Sequence, residues 1–119
     1  MHIGRLLCAT ADPTTVVFTD WMARGADNGV FTVELISTMG CELTVTVFHK
    51  NSEDTGPGTS AGAIVTSTST LGLHRATVSS LKEMVRYKVE VAGADVVGEL
   101  QGLLYRILPT TWFNTARVS

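Results

Sequence analysis

Apolar residues recur at every second position along most of this chain. In VFTVELI, Phe31, Val33 and Leu35 share one face, while Thr32 and Glu34 share the other. In ELTVTVFH, Leu43, Val45 and Val47 alternate with Glu42, Thr44 and Thr46. In VRYKVEV, Val85, Tyr87, Val89 and Val91 alternate with Arg86, Lys88 and Glu90. A period of two places successive side chains on opposite faces of a strand, so these segments predict three half-buried antiparallel strands. Their apolar members, Val33, Leu35, Val45, Val47, Tyr87, Val89 and Val91, are the expected core. Fainter alternation marks further strands over Ile3–Cys8, Thr15–Thr19, Ile64–Thr70, Arg75–Ser79, Leu103–Leu108 and Trp112–Arg117. No stripe at helical spacing competes with them.

Turn chemistry falls between these segments. Asn28-Gly29 reads as a turn just before the Phe31 strand. Met39-Gly40 separates two strands closely enough for a hairpin. The stretch NSEDTGPGTSAG, residues 51–62, reads as a polar loop, and residues 93–102 hold another bend. Pro109 has no N–H to give a ladder and should end or bulge a strand. About seven to nine short strands in one small unit predict an all-β antiparallel sandwich, immunoglobulin-like or jelly-roll-like. The whole chain, residues 1–119, is expected to be that one domain.

Composition adds a tension. Apolar residues make up 45% of the chain and charged ones only 17%, against an average near ~25% charged for soluble domains. Abundant threonine covers part of the surface, and a partner is expected to cover the rest. The net charge of −2 gives no electrostatic reason to expect nucleic acid as a partner. The first residues lack the roughly 7–15-residue apolar core of a signal peptide. No run approaches the ~20 apolar residues of a membrane span. Synthesis and assembly in a cytoplasm are therefore expected, with Cys8 and Cys41 as buried thiols.

Candidate chemistry is sparse. Asp54-Thr55-Gly56 has the composition of an aspartic protease triplet, but it follows HKNSE rather than a buried apolar strand. It reads as an acidic turn in an exposed loop. The run GPGTSAG has neither the lysine nor the helix that a phosphate cradle needs. His2, His49 and His74 show no paired metal-ligand spacing, and His49 sits where a hydrogen-bonded structural histidine belongs. Cys41 has no nearby base. The run TSTST, residues 66–70, reads as a polar sandwich face. No catalytic, cofactor or metal site is expected. Trp112 and Phe113 either close the end of the core or anchor an interface. Ile3 and Leu6 are their possible companions, and both chain ends are expected to be tied into a sheet or held by neighbours.

Two resemblances bear on this. In LKEMVRYKVEVAG, Leu81 stands six residues ahead of Tyr87. That spacing resembles the tyrosine corner of fibronectin type III and other immunoglobulin-like domains. The resemblance implies that the Tyr87 hydroxyl bonds back to backbone near a crossing between sheets. The tryptophan such domains carry on an early strand has no counterpart unless Trp21 serves. The C-terminal half, LKEMVRYKVEVAG followed by LYRILPTTWFNTA, is similar to small β-sandwich virion proteins of tailed bacteriophages that decorate or cement the head shell. This implies a structural protein of the virion, present in many copies and homo-oligomeric. It would bind the major capsid protein or other virion subunits, with no catalytic residue carried over and no membrane contact. The rival expectation is an immunoglobulin-like ligand- or protein-binding module, monomeric and with an exposed aromatic groove.

Overall fold

The computed structural model describes residues 2–9, 14–37, 42–68, 70–92 and 100–114, with side chains described from residue 16 to the end of the 70–92 segment and again over 104–114. Ten strands follow one another: β1 (His2–Ala9), β2 (Thr14–Phe18), β3 (Met22–Ala23), β4 (Asn28–Ser37), β5 (Glu42–Lys50), β6 (Thr59–Thr68), β7 (Gly72–Val78), β8 (Met84–Ala92), β9 (Leu100–Ile107) and β10 (Thr111–Phe113). Nine of them have three residues or more, β3 being a two-residue bridge. The described residues contain no helix, as alternation without a helical stripe demands.

All pairings are antiparallel, and they form two sheets. In the first, β1 pairs β9, β9 pairs β4, and β7 lies along the other edge of β4. β10 takes over from β9 on the β4 edge, pairing Thr111 with Val30 and Phe113 with Asn28. In the second sheet the order is β2-β8-β5-β6, and β3 takes over from β2 on the β8 edge. With each interrupted pair counted as one position, the strands nest first with last. β1 pairs β9, β2 pairs β8, β4 pairs β7, and β5 pairs β6. That nesting, closed by the β4–β9 and β5–β8 pairs, is the jelly roll, the second of the two sandwich types expected.

The inner faces carry the core. Phe31, Val33, Leu35, Tyr105 and Ile107 come from the first sheet; Leu43, Val45, Val47, Val85, Tyr87, Val89 and Val91 come from the second. Every expected core residue is buried. The β8 pattern alternates buried and half-buried from end to end, so its outer face is itself partly covered.

The structure corrects three local expectations. Asn28-Gly29 is not a turn: both residues are buried within β4, paired on one side with β10. A Cβ on Gly29 would approach the Phe31 ring to 2.9 Å and the Thr110 methyl to 3.0 Å. Glycine thus serves close packing there rather than a left-handed bend. The β4–β5 connection is not a hairpin, because the two strands lie in different sheets; Met39 and Gly40 themselves lie outside the described residues. The polar loop is shorter than expected, since β6 already begins at Thr59. Of the 93–102 bend, residues 93–99 lie outside the described residues and Gly102 belongs to β9. Pro109 does fall in the gap between β9 and β10.

The tyrosine corner is only half present. The chain does cross from the first sheet to the second between β7 and β8. Leu81 is buried in that crossing, its N–H bonded to the Asp27 carbonyl at 2.9 Å. But the Tyr87 hydroxyl meets Thr110 Oγ1 at 3.3 Å, in the opposite sheet's strand junction. Tyr87 lies inside β8 rather than at its start, so its ring spans the interior instead of folding back. Trp21 does not play the part of a core tryptophan either; it lies on the outer side of the second sheet.

Candidate functional site

Each sheet has one interrupted strand, and the two interruptions face each other at one end of the sandwich. Between them opens a cleft of about 310 Å³, lined by Thr19, Asp20 and Met22 from the β2–β3 break and by Ile107, Leu108, Pro109 and Thr110 from the β9–β10 break. Tyr87 and Trp112 form the rest of its wall. Proline explains one break, because Pro109 cannot continue the ladder. The other is fixed by side-chain chemistry. The Thr19 hydroxyl accepts the Tyr87 N–H at 2.9 Å, and the Thr19 N–H donates to the Tyr87 carbonyl at 3.0 Å. β2 is thereby closed off by a bond to its own neighbour.

The cleft wall is a chain of rings. Phe31 meets Tyr87 edge to face at 6.0 Å and Trp112 edge to face at 5.6 Å, an arrangement that the ring quadrupoles favour. Gly25 lies flat on Trp112; a Cβ there would come within 2.4 Å of the indole. Trp112 is half-buried and packs against the core, whereas Phe113 is 42% exposed on the other face of β10. Of the two residues expected to close the core or anchor an interface, the first closes the core and the second points away from it. Ile3 and Leu6 stand opposite Arg106 and Leu103 in the β1–β9 register; their side chains lie outside the described residues.

Burial pushes the Tyr87 hydroxyl above its ordinary pKa, and the bond to Thr110 partly offsets this. Replacing Tyr87 by Phe removes one half-buried hydrogen bond. The variant is expected to lose about 1 kcal/mol of stability, checked by urea denaturation. An unchanged midpoint would mean that the Thr110 contact contributes nothing.

A second constellation covers the outer face of the second sheet. The Arg86 guanidinium stacks on Phe18 at 4.2 Å and on Trp21 at 4.5 Å, and its Nη2 donates to the Pro57 carbonyl at 2.9 Å. Phe18 meets Phe48 edge to face at 5.7 Å. Lys50 lies over Trp21 at 4.7 Å and donates to the Asp54 carbonyl at 3.2 Å. These cation–π contacts pin the β2–β3 segment and the β5–β6 loop to the sheet. The protein's own cations lie over the Phe18 and Trp21 rings, so the stack braces the sheet, while Phe18 keeps 42% of its surface exposed. Phe48 carried the signal for it: it breaks the polar set of β5 by placing a ring on the outer face.

The described members of the remaining candidates make local structural contacts. Asp54 is exposed, and its Oδ2 accepts the Asn51 N–H at 3.1 Å while its own N–H donates to the Asn51 carbonyl. Asp54-Thr55-Gly56 is therefore a loop staple. His49 Nδ1 accepts the Lys82 N–H at 3.2 Å. Partial burial, and then the Lys82 charge, hold its pKa below the ordinary histidine value. His74 contacts the Thr70 carbonyl through Nε2 at 2.7 Å. In the TSTST run, Ser67 takes a left-handed φ of 40° and its N–H donates to Thr44 Oγ1 at 2.9 Å, which turns the run into an anchored irregularity. The side chains of His2 and Cys8, and all of Cys41, lie outside the described residues. Among the described residues no group of three His, Cys, Asp or Glu side chains is placed to hold a metal, and no helix is long and apolar enough to cross a membrane.

Among the described residues, large apolar side chains are exposed in three separate places, one of them Phe113 on β10. Val16, Phe18 and Met22 lie along the β2–β3 edge of the second sheet. Ile36, Leu71 and Leu73 gather at one corner of the first sheet, where Leu73 stands opposite Glu34. No protein-family model, curated protein or solved structure matches the chain.

Proposed function

We propose that the protein is a structural subunit of a virion, bound in many copies to a phage capsid shell as a decoration or cement element, and that it acts by bridging rather than by catalysis. The observation that carries this reading is the set of exposed apolar regions on both sheets of one jelly roll: the β2–β3 edge, the Ile36, Leu71 and Leu73 corner, and Phe113 on β10. A subunit with such regions on both sheets can touch two neighbours at once. Jelly rolls recur in viral capsids, a fold-level analogy that supports this reading. The low share of charged residues supports the same reading, because a small sandwich that meets only water has little reason to expose Leu71 at 59% and Leu73 at 55%. Individual contacts can be weak, since repetition over a lattice multiplies them.

A second reading, a ligand-binding module, draws on the cleft between the two strand breaks. Its volume lies at the lower end of the ~300–1,000 Å³ typical of ligand pockets. The two readings part on the size of the native particle. Sedimentation of the protein from its source with a shell-sized particle is expected. Recovery only as a free chain of one or two copies would exclude the shell reading and leave the module.

A further inference from the structure

We propose that β2 is a self-pairing edge, at which two copies of this chain join antiparallel strand to antiparallel strand into one continuous sheet. The inference does not depend on the shell reading, because such a dimer forms in free solution with or without a shell.

Free sheet edges template association with other strands, and natural proteins guard them with charge, proline or bulges. Three long edges here are guarded. β7 carries His74 and Arg75, and β1 carries Arg5. β6 shifts register against β5 at three points. β2 reads TTVVF, with no charge, glycine or proline, and its register against β8 is unbroken. Among the described residues it pairs with β8 alone. Its outward side chains, Val16 and Phe18, stay exposed at 46% and 42%.

The sequence of β2 fits a second copy of itself. In a continuous antiparallel sheet, residues directly opposite each other point to the same face. A two-fold axis perpendicular to the sheet must therefore pair residues of like parity. Centred on Val17, it places Val16 opposite Phe18 of the second copy, and Phe18 opposite Val16. Aromatic and β-branched residues facing each other are a favourable cross-strand pair, and symmetry makes it twice. No charge in TTVVF meets its own copy. The contact is isologous, so it closes at two copies and leaves no new edge of this kind. The corner formed by Ile36, Leu71 and Leu73 remains free for other partners. A five-residue strand buries less than the ~1,200 Å² of a standard interface, so the dimer should be weak, half-formed in the range of roughly 10–100 µM.

The test is sedimentation equilibrium of the isolated chain together with residue-resolved amide exchange at low and high concentration. The expected result is a reversible monomer–dimer equilibrium in which protection of the 14–18 amides rises with concentration. Val16→Lys, a gatekeeping charge on an exposed position, should weaken association at least about tenfold without changing the circular dichroism spectrum. A chain monomeric into the millimolar range overturns the proposal. So does a dimer whose concentration-dependent protection falls on β6 or β7, or a folded Val16→Lys variant that associates as the wild type does. Should that variant fail to fold, the exchange pattern of the wild type decides alone.

Discussion

Trp112→Ala is expected to lower the unfolding free energy by about 2–3 kcal/mol, while Phe113→Ala changes it by less than about 0.5 kcal/mol. Adjacent aromatics on one short strand point to opposite faces, and the structure assigns them different surroundings. Trp112 packs on Phe31 and on Gly25 and joins the edge of the core. Full burial would put the loss at ~3–5 kcal/mol; half-burial places it lower. Phe113 is 42% exposed and does not join the core. On the shell reading the order reverses for attachment: Phe113→Ala should reduce occupancy on the particle while the free protein stays as stable as the wild type. Urea denaturation of both variants, beside a binding assay on native particles, separates the two roles. Equal destabilisation by both substitutions would contradict the packing described for β10.

That division was only partly legible in the sequence. Alternation identified the strands whose inner faces are most apolar. It placed Val33, Val45, Val89 and their neighbours correctly because burial on one face of a strand writes a period of two directly into the chain. It could not say which strands pair. Strand pairing is non-local, and β1 with β9 or β4 with β7 leaves no mark in either segment alone. Hence a short connection such as that between β4 and β5 reads as a hairpin when it arches from one sheet to the other. Asn28-Gly29 failed for a related reason. The dipeptide favours a turn locally, but tertiary packing of Phe31 and Thr110 against Gly29 uses the missing side chain instead. Tyr87 was identified as core, yet its hydrogen-bond partner depended on where Thr110 lay in the other sheet. The cleft was illegible altogether, being made by two strand breaks distant in sequence. Pro109 announced one of them; Thr19, which closes the other through the Tyr87 backbone, is an ordinary threonine until its partner is known.

The β5–β6 loop should be the most substitution-sensitive surface segment, and Gly58 is its critical residue. Gly58 adopts a φ of +76°, in the left-handed region, where an L side chain costs roughly 1–2 kcal/mol. A Cβ there would also lie 2.8 Å from the His49 carbonyl oxygen and 2.6 Å from Trp21 Cη2. The carbonyl belongs to β5 and cannot retreat without breaking its ladder, so the indole must move. Moving it disturbs the Arg86 stack that holds β2–β3 to the sheet. Overpacking of this kind adds ~1–3 kcal/mol, and Gly58→Ala is expected to cost about 3 kcal/mol in all, with a change in Trp21 fluorescence. Gly56→Ala is the matched comparison: Gly56 also has positive φ, at +125°, but nothing lies within 4 Å of its missing Cβ. That variant should carry backbone strain alone, with Trp21 emission unchanged. The difference between the two reports the crowding of the added Cβ against the indole and the His49 carbonyl. If both variants lose the same stability and neither alters the fluorescence, Trp21 does not rest on Gly58, and the brace across the second sheet is not built as described.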